Sequence, residues 1–467
     1  DASDMSDGIV DVIDPSIQIS KDPEDGTKNA SIYRMHYSGK REFSVHAEKR
    51  EKQMIPGYGE LQSDPKDVID LPKGFSYKII GKAGEKMDDG LILPGAPDGM
   101  ATFKGPEDLT LLIRNHEVSG GAGAKGGAFG AGNGKLTDEL RKSMYDPGKA
   151  APALGGTSTV VYDTAKQKVV RQFLSLAGTL RNCAGGPTPW NSWITCEETV
   201  EKAGRLCAKD HGWCFDVPAT AQPELAKAVP LKAMGRFNHE AVAVDPKTGY
   251  VYETEDRHDG LIYRFLPKVP EKLAQGGKLQ ALVVAKKKSL DTRNWKETAV
   301  RLGEKIEVKW IDMDDVESPK DDLRRRGFTA GAARFARGEG MWYGNDAIYF
   351  ACTNGGKKNH GQVWKLKDDK LELFAEPNDK DVVDNCDNLT VAPWGDVILC
   401  EDGGGKQFLV GVTPKGRFYK LAKNSSGGSE LAGATFSPDG STLFVNVQHR
   451  GLTLAITGPW EKNRRES

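Results

Sequence analysis

The chain of 467 residues carries 65 Lys and Arg against 66 Asp and Glu, a balance that leaves no electrostatic footprint for nucleic acid or an anionic membrane. It holds no apolar run near the roughly 20 residues of a membrane helix. Its 54 glycines and 8% aromatics argue for many turns and short strands, not a helical bundle. Seven cysteines cannot all pair within one chain. Cys207 and Cys214 flank the polar loop AKDHGW and could close it as a disulfide in an oxidising compartment. The chain begins at Asp1 and not at Met, as a mature or trimmed product would.

In chain order, residues 1–72 are polar and irregular, with DPEDG, IPGYGE and SDPKD as turn signals, and read as an extended arm. Residues 73–467 read as one further domain in which short β-type runs end in acidic or amide residues. These are LLIRNHE at Glu117, WITCEE at Glu198, VYETED at Asp256, IYFACTN at Asn354, VILCED at Asp402 and LFVNVQ at Gln448. The last three ends lie 48 and 46 positions apart, near the roughly 40–50 residues of a propeller blade. Hairpin texts around DPKTG, PWGD and SPDG fall between them. The reading is an all-β, six-bladed β-propeller with insertions near 118–152 and 267–330; a β-sandwich with accidental repetition is the alternative. The first insertion is glycine-rich but lacks the GK[ST] ending of a phosphate loop, and is followed by the helix-like TDELRKSMYD.

If the six runs surround one axis, their polar ends converge, making neighbours of Glu117, Glu197, Glu198, Glu255, Asp256, Glu401 and Asp402. Carboxylates packed so closely repel and raise one another's pKa unless cations compensate. An isolated acidic pair would be a solvated turn or a strand-end ion pair; recurrence at equivalent places favours metal binding. Oxygen donors suit Ca²⁺, and carboxylates with one thiolate could hold trivalent iron. With 8 histidines in all, a His-dominated zinc centre is disfavoured. The phrase NHE occurs twice, giving Glu117 and Glu240; His116 and His239 either orient carboxylates or pack in the core. Cys183 sits in the turn text RNCAGG beside Arg181, a cation that would lower its thiol pKa. Cys196, Cys352 and Cys400 lie within apolar strands as packing residues. Arg337 and Glu339 alternate about a glycine, so an extended chain points both to one face, as a metal carboxylate beside an anion-binding guanidinium or as a plain ion pair. Asp387, Asn388 and Glu430 are candidates that could equally be turn formers.

From about Pro72 to Trp460 the sequence resembles the PhoX family of alkaline phosphatases. The resemblance is carried by IRNHE, LGGTSTVVYD, RNCAGGPTPWNSWITCEE, GRFNHEAVAVDPKTGYVYETEDR, ARGEGMWY, CDNLTVAPWGDVILCEDG and SELAGATFSPDGSTLFVNVQ. It implies a six-bladed propeller with a mixed Fe(III) and Ca²⁺ centre, in which Cys183 supplies a thiolate to iron and a metal-bridging oxygen is the nucleophile. Glu198, Glu255, Glu339, Asp387 and Glu401 would be the leading metal carboxylates, followed by Glu117, Glu197, Glu240 and Asp402. Arg337 would bind phosphoryl oxygens, two of which its planar guanidinium fork can meet at once. The implied substrates are small phosphate monoesters, with diesters open as a second class, and the expected state is a monomer. Family members are exported by the twin-arginine route, which implies a periplasmic or extracellular address. Compact inserts leave substrate preference open. The rival readings are a calcium-dependent propeller lactonase and a non-catalytic, calcium-braced binding propeller; neither has a use for Cys183 or Arg337.

Overall fold

The computed structural model describes residues 53–120, 125–149 and 151–460. Most of the expected arm (1–52) and part of the glycine-rich insertion (121–124) lie outside the described residues. Pro56–Ser467 forms one compact unit, built from antiparallel strands.

Six strands organise it: β1 (Pro97–Lys104), β2 (Asn182–Pro187), β3 (His239–Val244), β4 (Gly338–Gly344), β5 (Cys386–Val391) and β6 (Leu431–Phe436). Each packs beside the next, and β6 packs beside β1, so the series closes on itself. From each, a sheet grows outward. β1 is followed by Thr110–His116, Gly155–Asp163 and Lys168–Thr179, and β2 by Ser192–Glu197 and Cys214–Pro218. The sheets of β3 and β4 are joined at their outer edges, where Lys305–Asp312 pairs with Lys370–Ala375. The β5 sheet gains Ile69–Pro72 beyond Phe418–Asn424, and the β6 sheet is completed by Ser76–Lys82 against Leu452–Thr457. The architecture is therefore all-β and propeller-like, not a two-layer sandwich.

These sequences become strands for local reasons. TLFVNV (Thr442–Val447) is buried throughout, because adjacent sheets cover both of its faces and the apolar run Leu443–Val445 suits such a strand. The hairpin before it turns on SPDG: Gly440 takes φ 72° and donates its N–H to Ser437 O at 2.8 Å, while Asp439 Oδ1 accepts from Ser441 N. That backbone conformation is open to glycine at little steric cost. Between the sheets lie continuous apolar layers, one of which joins Ala241, Ile262, Phe335, Phe350 and Trp364.

The helix-like insertion text forms a short helix, Asp138–Ser143, whose first turn is capped by Thr137 accepting from Leu140 N. No helix of the described residues is long and apolar enough to cross a membrane. The suggested Cys207–Cys214 disulfide does not form, and all seven cysteines are free thiols. The Cys207 thiol instead donates to Lys202 O at 3.1 Å, and Cys214 lies 3.6 Å from Cys196 across a strand pair.

Candidate metal and phosphate site

All six inner strands slip register near their starts, between Pro97 and Met100, Asn182 and Gly185, His239 and Val242, Gly338 and Met341, Cys386 and Leu389, and, one residue later, Ala432 and Thr435. Such a bulge re-aims the residue inside it. The second residues of the inner strands are Asp98, Cys183, Glu240, Glu339, Asp387 and Ala432; the first five are metal donors and lie inside the bulge, while Ala432 flanks its own. A second tier follows the end of each partner strand: Glu117, Glu198, Asp256, Thr353, Asp402 and Gln448. A third tier directly precedes each inner strand: Ala96, Arg181, Asn238, Arg337, Asn385 and Glu430. Ala96, Arg181, Arg337 and Asn385 all adopt positive φ, between 42° and 57°, the turn by which the chain enters its sheet.

Donor atoms in these tiers crowd together. Three sets, Asp98/Glu117/Cys183, Cys183/Glu198/Glu240 and Glu240/Glu339/Asp387, each hold their ligand atoms within 4.8 Å of one another. Cys183 links the first set to the second, and Glu240 links the second to the third. Both carboxylate oxygens of Glu240, which is 0% exposed, lack a hydrogen-bond partner among the described residues, as does Asp98 Oδ1. Buried carboxylates left unpartnered are costly unless a cation meets them, so the donor set fits metal ions.

The electrostatics agree. Burial first, then neighbouring carboxylates, push Asp98, Glu240 and Glu339 well above the usual carboxylate range. Burial also lifts Asp387 to about 7, and lifts Glu198 to about 8 even though Arg181 opposes the shift. Glu430 rises to about 11 through burial and the charges of Asp98 and Asp387. The sequence suggested that Arg181 would lower the Cys183 thiol. In the structure, burial first, then the charges of Asp98 and Glu240, push it up, while the Arg181 guanidinium is paired with Glu198 and Glu117. A cation bound beside Cys183 would favour the thiolate.

Two guanidiniums stand among these acids in equivalent places, two residues before Cys183 and two before Glu339. Arg181 pairs with Glu198 and, at 2.7 Å, with Glu117. Arg337 grips Asp256 through Nε and Nη2 at 2.7 and 2.8 Å and meets Glu339 Oε1 at 2.8 Å. In both, Nη1 has no protein partner among the described residues, and the side chains are 42% and 33% exposed. Gln448 reaches Asp98 and Glu117 at 2.6 and 3.0 Å.

Of the residues expected from sequence, the structure brings together Cys183, Glu117, Glu198, Glu240, Glu339, Asp387, Asp402 and Arg337. It does not bring Glu197, Glu255 and Glu401 into that cluster. Each is the last paired residue of its strand, one position before a clustered acid, and so points the opposite way. Glu197 accepts from Leu180 N, Gly212 N, Trp213 N and His211 Nδ1. Glu255 Oε2 accepts from Tyr263 OH and Leu261 N. Glu401 accepts from Asp384 N, Phe408 N and Lys420 Nζ. His116 binds Gly95 O and Ser158 Oγ within the core. Sequence reasoning missed Asp98, which reads as a turn in PDG. Spacing would have found it: Cys183 precedes Glu198 by 15 residues, Glu240 precedes Asp256 by 16 and Asp98 precedes Glu117 by 19.

Comparison with known proteins accords with this geometry. The profile of the family described as alkaline phosphatase PhoX matches residues 56–451. The structure of Pseudomonas fluorescens PhoX in complex with vanadate, a transition state analogue, aligns with a TM-score of 0.64 at 19% identity, covering 87% of this chain and 97% of that one. Two further structures align at TM-scores below 0.5, and nothing is argued from them. They are a Xanthomonas campestris gluconolactonase (0.39, 11% identity, 83% of this chain and 97% of that one) and a calcium-binding regucalcin from Agrobacterium tumefaciens (0.38, 12% identity, 83% and 98%). No curated protein sequence matches the chain. With most of its length matched, the chain belongs to the PhoX alkaline phosphatase family. It is a phosphoric ester hydrolase, which sets aside the lactonase and binding-propeller readings.

Proposed function

We propose that the protein hydrolyses small phosphate monoesters, with diesters as a secondary class, at a mixed Fe(III) and Ca²⁺ centre in the mouth of a six-bladed propeller whose blades begin with β1 to β6. The observation that carries this is the three-tier ring, in which a thiol and crowded, unpartnered carboxylates surround two guanidiniums whose Nη1 groups are free. Cys183 with Asp98, Glu117, Glu198 and Glu240 suits trivalent iron, which accepts a thiolate; the all-oxygen set Glu240, Glu339 and Asp387 suits calcium. When bound, such ions supply positive charge to phosphoryl oxygens and Lewis acidity at the reacting phosphorus. Arg337 presents its free Nη1 to the phosphoryl group while Asp256 and Glu339 hold the rest of the fork in place, and Arg181 does the same from Glu117 and Glu198. A guanidinium fixed before substrate arrives needs no reorganisation as charge builds in the transition state.

Vanadate bound to the Pseudomonas enzyme is in keeping with a site shaped for a phosphoryl oxyanion. Contacts confined to the phosphoryl end allow varied leaving groups. Ile69–Pro72, where the arm expected from the sequence ends, edges the fifth blade, and the enzyme acts as an exported, periplasmic or extracellular monomer.

The test is elemental analysis and a visible spectrum of the purified protein alongside hydrolysis of p-nitrophenyl phosphate. Iron with calcium, a thiolate-to-iron band and turnover are expected. A colourless, fully metallated enzyme that turns over without iron would overturn the mixed centre.

A further inference from the structure

Between the β2 and β3 sheets, away from the channel mouth, four donor side chains meet with no solvent access. Cys196 and Cys214 face each other across a strand pair, and His239 and Glu253 come from the neighbouring sheet; all four are 0% exposed. Cys214 Sγ lies 3.6 Å from Cys196 Sγ and 3.4 Å from His239 Nδ1, which in turn lies 3.3 Å from Glu253 Oε2.

The imidazole is prepared for a ligand. Nε2 is 3.0 Å from Gly235 O, which can only accept, so Nε2 carries the proton and Nδ1 presents its lone pair to the cluster. Metal-binding histidines are characteristically oriented in this way. Phe237 lies against the ring at 3.6 Å between centroids. Neither oxygen of Glu253 has a hydrogen-bond partner among the described residues. A lone pair and a carboxylate facing each other in a dry core repel unless something positive sits between them.

A nearby buried group shows the contrast. Asp146 and Glu197 flank His211 at 3.2 and 2.6 Å, and backbone N–H groups fill their remaining acceptors, so that network is complete without an ion. The Glu253 cluster is not.

Cys214, His239 and Glu253 hold their donor atoms within 4.8 Å of one another, and the three edges Cys196–Cys214, Cys214–His239 and His239–Glu253 match those of a small tetrahedral cation, so that Cys196 closes on the ion from the Cys214 side. With metal–sulfur bonds of about 2.3 Å and metal–nitrogen and metal–oxygen bonds of about 2.0 Å, the tetrahedral edges are about 3.8 Å between sulfurs, 3.5 Å from sulfur to nitrogen and 3.3 Å from nitrogen to oxygen. We propose that Cys196, Cys214, His239 and Glu253 form a closed, structural zinc site that pins the β2 sheet to the β3 sheet. It is separate from the channel-mouth cluster: adjacent strand residues point oppositely, so His239 enters this site while Glu240 enters the other. Four protein donors leave no open position for substrate, as in structural zinc centres. The inference does not depend on the phosphatase mechanism.

The experiment measures zinc per chain in the full-length protein, then loads Co²⁺ alone and reads the thiolate-to-cobalt absorption of a tetrahedral site. Close to one zinc per chain is expected, lost in Cys214→Ser and Glu253→Gln but kept in Cys183→Ser, which lies in the channel-mouth cluster. Should the first two variants fail to fold, the cobalt spectrum of Cys183→Ser with Cys207→Ser added, which also removes the thiol beside Asp146 and His211, decides by the presence or absence of a thiolate band. Absence of zinc and of that band, or a Cys196–Cys214 disulfide in the non-reduced protein by mass spectrometry, would overturn the site.

Discussion

Replacing Arg337 with alanine removes the guanidinium that Asp256 and Glu339 hold between them at 2.7 to 2.8 Å. Because Nε and Nη2 are engaged, Nη1 is aimed before an anion arrives, and the side chain is two-thirds covered. At an effective dielectric of about 20, unit charges about 4 Å apart interact by about 4 kcal/mol. Loss of one preorganised donor to a developing oxyanion costs about 3–4 kcal/mol. The kcat for p-nitrophenyl phosphate should therefore fall about 10²–10³-fold in Arg337→Ala. Arg337→Lys keeps the charge but not the fork and should lose roughly 10-fold. The assay is steady-state kinetics, with metal content and melting temperature measured on the same samples so that loss of ions or of fold is separated from loss of the oxyanion contact. Turnover of Arg337→Ala within about 3-fold of wild type, at full metal content, would refute the assigned role.

Cys183→Ser should lose iron and the visible band together while retaining the fold; a retained band would place the thiolate elsewhere. Adjacent acids should separate by role: Asp256→Asn should cut turnover with little change in melting temperature, whereas Glu255→Gln, beside Tyr263 and Arg324, should act mainly on stability. For His211, burial works against the charge, but the Glu197 and Asp146 carboxylates lift its pKa to about 9. Raised from about 6.5, that pKa is worth about 3 kcal/mol of stability. The contribution is fully present below about pH 6.5 and lost as pH rises through about 9, so in chemical denaturation His211→Gln should flatten the stability profile across that window. A profile unchanged by the substitution would show that the network is not charged.

The recurrence of acid-tipped strands was readable in the sequence because one strand–turn–strand unit is repeated, and the second-tier acids Glu198, Asp256 and Asp402 follow from it. The sequence does not say which of two adjacent acids faces the channel. In CEE, ETED and CED the side chains alternate, and only the register against the inner strand shows that Glu197, Glu255 and Glu401 turn into the sheet. The inner-strand slot was harder still, because its donors differ in chemistry: Cys183, Glu240 and Asp98 share a bulge, not a residue type. The Cys207–Cys214 pairing suggested by loop length failed because Cys214 is an interior strand residue facing Cys196.

The strand Ser76–Lys82, which completes the sheet of β6, joins the two ends of the sequence like a clasp. A chain still emerging from the ribosome has Asp98 and Glu117 in hand but not Gln448, which bridges them, nor Leu452–Thr457, which the early strand needs. Bringing together ends some 370 residues apart costs roughly 5 kcal/mol in chain entropy, regained only when the last strands arrive. Completion of the acidic ring is thereby tied to arrival of the late strands: a product ending before Asp387 and Gln448 would hold Cys183 with Asp98, Glu117, Glu198 and Glu240 but lack the rest of the ring that closes around them.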